Sequence, residues 1–367
     1  MNIGFDAKRA FLNYSGLGNY SRSVIESLAE NFPDEIYYLF NPEKSNQFLT
    51  ERKNSQEINS NSFSKSYWRS YGQVNDWNKL HIDVYHGLSN ELPFGLSRSK
   101  AKKVVTIHDV IFKSHPQFYS AIDRSIYDWK TKHAVKHADT IITVSQFTKN
   151  ELIKYYGADE KKIKVVYQSL SSHITRNISS GKIISVKNKY NLPEQFLLYA
   201  GTIEKRKNLL AVIKALQELG ENAPPLVVVG RATNYFHEIE KYLQSVSSSL
   251  KILFLHEVSN DELNEIYSLA YGFIYTSLIE GFGIPLIEAA AHGVPSITTK
   301  NSSMSEAAGN GALHVDAMNV DETASAIERL FSDTALHKKL SAQAFRHVQP
   351  FNHKRMATEL MEIYKSL

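Results

Sequence analysis

Glu280 and Glu288 enclose the seven residues GFGIPLI within TSLIEGFGIPLIEAAAHGVPS, which runs from Thr276 to Ser296. With Pro285 as the first helical residue and Gly293 as the residue just past the end, the spacing predicts a helix of roughly two turns with Glu288 in its first half. Carboxylates accept hydrogen bonds from hydroxyls, glycines such as Gly281 and Gly283 let a ligand approach the backbone, and a helix N-terminus offers unpaired N–H groups. A polyol such as a ribose or a hexose suits that chemistry. The same pattern also suits an ordinary turn acid followed by a capping or solvated helix acid.

Three more segments set reactive side chains at the ends of apolar runs. In NYSGLGNYSRSVIESLAE, Gly16 and Gly18 precede or open a helix, a placement suited to a diphosphate or to a structural turn, and no third glycine completes a dinucleotide fingerprint. VVTIHDV puts His108 and Asp109 just beyond a strand, where open parallel sheets bind their guests. The alternative there is a turn cap for Asp109 and a backbone partner for His108. YAGTIEKRKNLLAVIKAL carries Arg206 and Lys207 at the mouth of a strand-to-helix turn, with Asn208 as a cap. A guanidinium fork and a point ammonium at that place match a pyrophosphate.

Composition narrows the classes. The 367 residues suffice for two cores, and 43% hydrophobic with 22% charged residues is the balance of a soluble globular chain. Without cysteine there is no disulfide, thiolate chemistry or cysteine metal site, and no diacid stands at a strand end to hold a metal, so no metal and no cofactor are expected. Lys plus Arg number 42 against 38 Asp plus Glu, a balance that argues against a nucleic-acid partner. The N-terminus lacks the pattern of a secretory signal, and no apolar run reaches the roughly 18 residues of a membrane span, so a cytoplasmic chain is expected.

The elements that must position these residues follow an alternating pattern. NIGFDA, EIYYLF, DVYHG, KVVTIHD, TIITVS and KIKVVYQS read as strands, with helices over 18–31, 119–138 and 146–157. After a polar stretch near 171–182, FLLYAGT, PLVVVGR, KILFLHE, GFIYTS, PSITTK and GALHVD repeat the alternation with further helices. Two such sets predict an α/β fold of two doubly wound domains with the ligand site in the cleft between them. A polar segment holding Phe63, Tyr67, Trp68 and Tyr71 reads as a surface loop or an element that meets a partner. On the helix around 128–137, Ile122, Ile126, Trp129 and His133 share one stripe, while Lys130, Lys132 and Lys136 lie largely off it. The pattern favours a stripe packed on the core over a basic surface resting on anionic lipid.

EGFGIPLIEAA resembles the glutamate, seven residues, glutamate motif of retaining glycosyltransferase family 4. SGLGNYSRS, TIHDVIFKSHPQFYS, ADTIITVSQFTKNEL, GTIEKRKNL and SSMSEAAGNGALHVD follow in the family's order over most of the chain. The resemblance implies the GT-B fold, two Rossmann-like doubly wound domains facing across a cleft. Residues 1–175 would form the acceptor-side domain, 176–345 the nucleotide-sugar-binding domain, and 346–367 a C-terminal helix packed back on the first. It implies that Gly16 and Gly18 lie against the donor diphosphate, that Arg206 and Lys207 bind it, and that His108 contacts the transferred sugar. Glu280 would hold the sugar hydroxyls, Glu288 the ribose diol, and the backbone of Gly281, Phe282, Gly283 and Ile284 would line the pocket. Thr202, Lys205 and Ser305 stand where relatives often carry arginine, proline and proline.

The function so implied is transfer of a hexose, with GDP-mannose the favoured donor and UDP-glucose or UDP-N-acetylglucosamine the alternatives. The acceptor would be a glycan or a polyprenyl-linked glycan of a bacterial cell surface, with peripheral contact at the inner face of the membrane. A nucleotide-sugar epimerase and a non-catalytic nucleotide-sugar binder share the gross fold. Retention of Arg206, Lys207, Glu280 and Glu288 argues against the latter.

Overall fold

The computed structural model describes residues 1–13, 16–44, 52–60, 64–175, 177–246 and 250–367. Phe63 of the aromatic segment and Ser15 of the glycine segment therefore lie outside the described residues. The chain divides into two units, one made of Met1–Ser169 with Phe351–Leu367 and the other of Leu170–Pro350.

The first unit is built on seven parallel strands: β1 (Asn2–Asp6), β2 (Ile36–Asn41), β3 (Ser55–Asn59), β4 (Val84–Gly87), β5 (Lys102–Ile107), β6 (Thr140–Thr143) and β7 (Ile163–Val165). Their order is β3-β2-β1-β4-β5-β6-β7, so the winding reverses between β1 and β4. β4 and β6 are buried at every position, as strands covered on both faces must be. β3 is the strand that periodicity misses. Only Ile58 in SQEIN is apolar, because this edge strand has a single neighbour, β2, paired from Tyr37↔Ser55 to Asn41↔Asn59.

The helix Gly16–Asn31 follows β1 and packs against the terminal helix His353–Lys365. That terminal helix buries Met356, Ala357, Leu360, Met361 and Tyr364 on one side, the i, i+4 spacing of an amphipathic stripe.

The helix Ala121–His137 corrects the sequence reading of its faces. Ile122 is 74% exposed and Trp129 55%, with Ile126 and Tyr127 also in solvent, while Thr131 and Ala134 are the buried positions. Two of the lysines are held in ion pairs: Lys130 with Glu91 at 2.6 Å and Lys132 with Asp128 at 2.9 Å. Ile122, Ile126 and Trp129 of the stripe face outward, His133 is half-buried against Phe94, and the small residues Thr131 and Ala134 form the buried side. Trp129 stacks on Phe94 at 4.7 Å, Phe94 on Tyr71 at 5.1 Å and Tyr71 on Tyr67 at 5.5 Å, continuing the stripe as an aromatic ladder.

The second unit has six parallel strands, β8 (Leu197–Ala200), β9 (Leu226–Val229), β10 (Ile252–Leu255), β11 (Gly272–Tyr275), β12 (Ser296–Thr299) and β13 (Ala312–Val315), in the order β10-β9-β8-β11-β12-β13. The winding reverses between β8 and β11. Doubly wound sheets bind ligands at the C-terminal ends of the strands flanking that switch. Arg206 and Lys207 come after β8, and Glu280 comes after β11.

Candidate active site

The turn after β8 is a single 3-10 turn, Lys205–Lys207, and it ends on Asn208 at φ 61°. Asn208 does not cap the helix Leu209–Leu219 through its side chain, as sequence suggests. Its Nδ2 instead donates to the carbonyls of Thr276 at 3.2 Å and Ala317 at 2.7 Å, tying this turn to the loop after β11. The Leu278 amide adds a bond to the Arg206 carbonyl at 2.8 Å. The two loops are therefore fixed to each other before any side chain of the site is considered.

Those loops bring Arg206, Lys207 and Glu280 together. Arg206 Nη1 donates to Glu280 Oε2 at 2.7 Å and to the Ile279 carbonyl at 2.8 Å, and its Nη2 donates to Glu204 Oε1 at 2.6 Å. Lys207 Nζ lies 3.4 Å from Glu280 Oε1 and donates to Tyr275 Oη at 2.7 Å, with the ammonium 4.9 Å from the tyrosine ring centre. Tyr275 in turn donates to Glu280 Oε1 at 2.9 Å. Burial alone would raise the Glu280 carboxyl, but Lys207 and Arg206 hold it down at about 2. Burial opposes both cations, and Glu280 outweighs it, so both stay protonated. Burial and then Glu280 push the Tyr275 phenol up to about 12.

Glu280 leads through Gly281 and the buried Phe282 to Gly283, whose φ of +123° turns the chain into the helix Ile284–Ala291. A side chain there would be strained, which is why the turn carries glycine. The helix begins at Ile284, one residue before the Pro285 that the spacing puts first, and Gly293 adopts φ 71° just past the end, as the spacing predicts. Glu288 is buried on this helix and has partners unlike those of Glu280. Tyr267 Oη donates to its Oε2 at 3.1 Å and Ser171 Oγ to its Oε1, with His173 Nε2 3.9 Å from Oε1. One acid thus faces cations and the other hydroxyls.

In the first unit His108 follows β5 and is buried. Its Nε2–H donates to the Leu88 carbonyl at 2.9 Å, which leaves Nδ1 as the acceptor of the neutral ring. Burial lowers its pKa to about 4, against the opposing pull of the Leu88 bond. Tyr20 meets the ring edge-on at 4.6 Å. Tyr20 Oη is 3.0 Å from Thr106 Oγ1, His86 Nε2 is 2.8 Å from the same oxygen, and His86 Nδ1 is 2.6 Å from Tyr364 Oη on the terminal helix. Asp109 Oδ1 accepts from the Ile111 amide at 3.1 Å, the turn-capping alternative.

The two glycines differ. A side chain at Gly18 would meet the Asn13 carbonyl oxygen at 1.7 Å, so its bareness serves close packing of its own backbone. Gly16 has nothing within 4 Å of such a position and leaves the helix start open.

Sequence reasoning passed over Tyr275, Tyr267, Ser171 and His173. The first two carried a readable signal, since a tyrosine at the end of a fully apolar strand or on the inner face of a helix needs a partner for its hydroxyl. Ser171 and His173 lie in a polar connection with no period to mark them. Among the described residues, no three His, Asp or Glu side chains group as metal ligands.

Two family models match the chain in succession: Glycosyltransferase Family 4 over residues 15–170 and Glycosyl transferases group 1 over 182–347. O-antigen chain mannosyltransferase B of Escherichia coli is 29% identical over 290 residues, 77% of this chain and 74% of that protein. O-antigen chain mannosyltransferase RfbU of Salmonella typhimurium is 32% identical over 230 residues, covering 62% of this chain and 60% of that protein. In fold, the chain is similar to a crystal structure of a glycosyltransferase from Rickettsia africae, with a TM-score of 0.78, 21% identity, and coverage of 100% of this chain and 97% of that one.

Proposed function

The chain belongs to the GT-B glycosyltransferases related to family 4, and from that premise we propose that it transfers mannose from GDP-mannose to a glycan or polyprenyl-linked glycan with retention at the anomeric carbon. The observation that carries this reading is the joining of Arg206, Lys207 and Glu280 at the strand switch. Lys207 keeps one ammonium hydrogen beyond the one given to Tyr275 and the one facing Glu280, and Arg206 keeps its Nε–H and one Nη2–H. These hydrogens bind the donor pyrophosphate. Each Glu288 oxygen accepts one protein hydroxyl and retains a lone pair for the ribose diol. The backbone of Gly281–Ile284 lines the sugar pocket, Gly16 admits the diphosphate, and neutral His108 offers Nδ1 to a sugar hydroxyl.

In the transfer, an acceptor hydroxyl oxygen bonds the anomeric carbon on the face from which the nucleoside diphosphate departs. The bond between that carbon and the phosphate oxygen breaks, the electron pair leaves with the diphosphate, and a phosphate oxygen takes the acceptor proton. Arg206 and Lys207 offset the charge that grows on the leaving group, an interaction stronger in the transition state than in the ground state. With a pKa near 4, His108 is not the general base at neutral pH, because its unprotonated nitrogen is too weakly basic to retain a proton.

The mannose assignment is supported by the two relatives named as mannosyltransferases. Contact at the inner face of the membrane is supported by the outward stripe of Ile122, Ile126 and Trp129. A panel of GDP, UDP and ADP sugars, assayed for binding by saturation-transfer NMR and then for turnover, tests the donor. Selective turnover of a UDP sugar with GDP-mannose inert would overturn the choice.

A further inference from the structure

We propose that the Tyr275 hydroxyl selects which oxygen of Glu280 reads the donor sugar, making Tyr275 a specificity-determining residue that acts through Glu280. This rests on the reading of Glu280 as the contact for sugar hydroxyls. An ammonium has hydrogens to give and no lone pair to offer. The 2.7 Å contact between Lys207 Nζ and Tyr275 Oη therefore has only one polarity, with lysine donating. The phenol hydrogen is left for Glu280 Oε1, 2.9 Å away.

The carboxylate's acceptor positions can then be assigned one by one. Oε1 accepts the Tyr275 O–H at 2.9 Å, and the Lys207 ammonium faces the same oxygen at 3.4 Å as an ion pair. Oε2 receives Arg206 Nη1 at 2.7 Å and keeps one lone pair. A sugar hydroxyl that donates to Glu280 thus meets Oε2 as the oxygen not shared between the Tyr275 hydroxyl and the Lys207 ammonium, on a carboxylate held from three directions. The Glu280 backbone is also fixed, since Ser303 Oγ donates to its carbonyl at 2.6 Å. Epimers of a hexose differ in the direction of one hydroxyl. A carboxylate that cannot rotate distinguishes those directions, whereas one free to turn follows either.

Tyr275 is buried at the end of β11, where its ring packs against Phe273 and carries Lys207 at 4.9 Å. Tyr275→Phe keeps the ring and leaves Lys207 its ion pair with Glu280. It deletes the hydroxyl, opens a lone pair on Oε1 and frees the carboxylate to turn. Losing a hydrogen bond to a charged acceptor, worth about 1.5 kcal/mol, reduces epimer discrimination by about tenfold.

The test compares kcat/KM of the full chain for GDP-mannose and GDP-glucose, or for UDP-glucose and UDP-galactose if uridine donors are turned over, with GDP or UDP affinity measured by calorimetry. The expected result for Tyr275→Phe is a ratio between epimers that falls by about tenfold, with nucleoside diphosphate affinity within about threefold of the wild type. A merely structural tyrosine would lower both epimers in proportion, and that outcome overturns the proposal. Glu280→Asp, which withdraws the carboxylate from Tyr275 while keeping its charge, gives an independent reading. The ratio should fall there too, and an unchanged ratio counts against the proposal. Full transfer by Glu280→Gln would remove the sugar-contact reading itself. Loss of transfer in Glu280→Gln beside an unchanged ratio in Tyr275→Phe would overturn the role of Tyr275 alone.

Discussion

Arg206 Nη1 lies 2.7 Å from Glu280 Oε2, so the principal cation and the principal acid of the site already hold each other in the free chain. Removing either cation leaves a buried carboxylate with less compensation, which costs stability as well as any ligand contact. Arg206→Ala and Lys207→Ala should each reduce transfer by about 10²-fold or more. Both should also lower Tm. Adding Glu280→Gln to Lys207→Ala should recover part of the Tm without recovering transfer, measured by calorimetry and a donor-turnover assay. Normal transfer by a folded Arg206→Ala, Lys207→Ala double variant would remove the diphosphate assignment.

Glu288 differs from Glu280 in its surroundings, since hydroxyls, not cations, hold it. As the proposed ribose contact, it would bind the vicinal diol in ground state and transition state alike. Glu288→Gln should therefore raise donor KM by about tenfold with kcat nearly unchanged. Wild type should prefer GDP to 2′-deoxy-GDP, and the variant should lose that preference. A preference that survives the substitution would place the ribose elsewhere.

Much of this arrangement is legible in the sequence, and the reason is the sheet. Strands such as LVVV and GFIY are apolar throughout because both of their faces are covered, and the residues after them must lie at the strand ends. That puts Arg206, Lys207 and Glu280 at one edge of the second sheet without any contact being known. Periodicity does not say which way an amphipathic face points when small residues occupy the other side, as in the helix Ala121–His137. Nor does it give the partners of a side chain. Tyr275 signals that its hydroxyl needs a partner, but Lys207 and Glu280 are identified only when their atoms are placed, and Gly18 reads as a ligand contact until Asn13 is found beneath it.

Two histidines of the first unit are held neutral by burial. His86 is lowered to about 3, by burial and then by His108, and His108 to about 4 by burial. The unfolded chain binds protons at both near pH 6.5, so between that pH and about 4 it carries more protons than the fold does. Stability then rises with pH across this window and is lost as pH falls through it, by on the order of 3 kcal/mol for His108. Tm measured from pH 6.5 down to 4.5 should fall, and His108→Gln should fall less steeply. Equal slopes for both proteins would show that His108 is not buried neutral.

Arg206 and Lys207 are both protonated at the strand switch, and Glu280 is ion-paired to both of them. Transfer should persist in excess EDTA. Complete loss that magnesium restores would contradict a site balanced by Arg206 and Lys207 alone.

The outward stripe of the helix Ala121–His137 supports a membrane contact of a particular kind. Ile122 and Trp129 are 74% and 55% exposed, while Lys130 and Lys132 are tied to Glu91 and Asp128. A surface that binds through free lysines needs anionic lipid and releases in salt, because exposed charges are screened beyond about 8 Å at physiological ionic strength. A surface that binds through buried apolar area depends on neither. Tryptophan also belongs at the depth of the headgroups, where its ring is apolar and its N–H is wet. Partition onto vesicles of phosphatidylcholine with a minor fraction of phosphatidylglycerol should therefore change little between low and high salt. The triple variant Ile122→Ser, Ile126→Ser, Trp129→Ser should weaken it by at least about tenfold, since each side chain withdrawn from water contributes more than about 1 kcal/mol. Lys130→Gln with Lys132→Gln should have the smaller effect. Turnover of a water-soluble acceptor should be retained by the triple variant, which touches none of Arg206, Lys207, Glu280 or Glu288. Binding that vanishes in salt and with the lysines, but not with the stripe, would return the contact to the basic face.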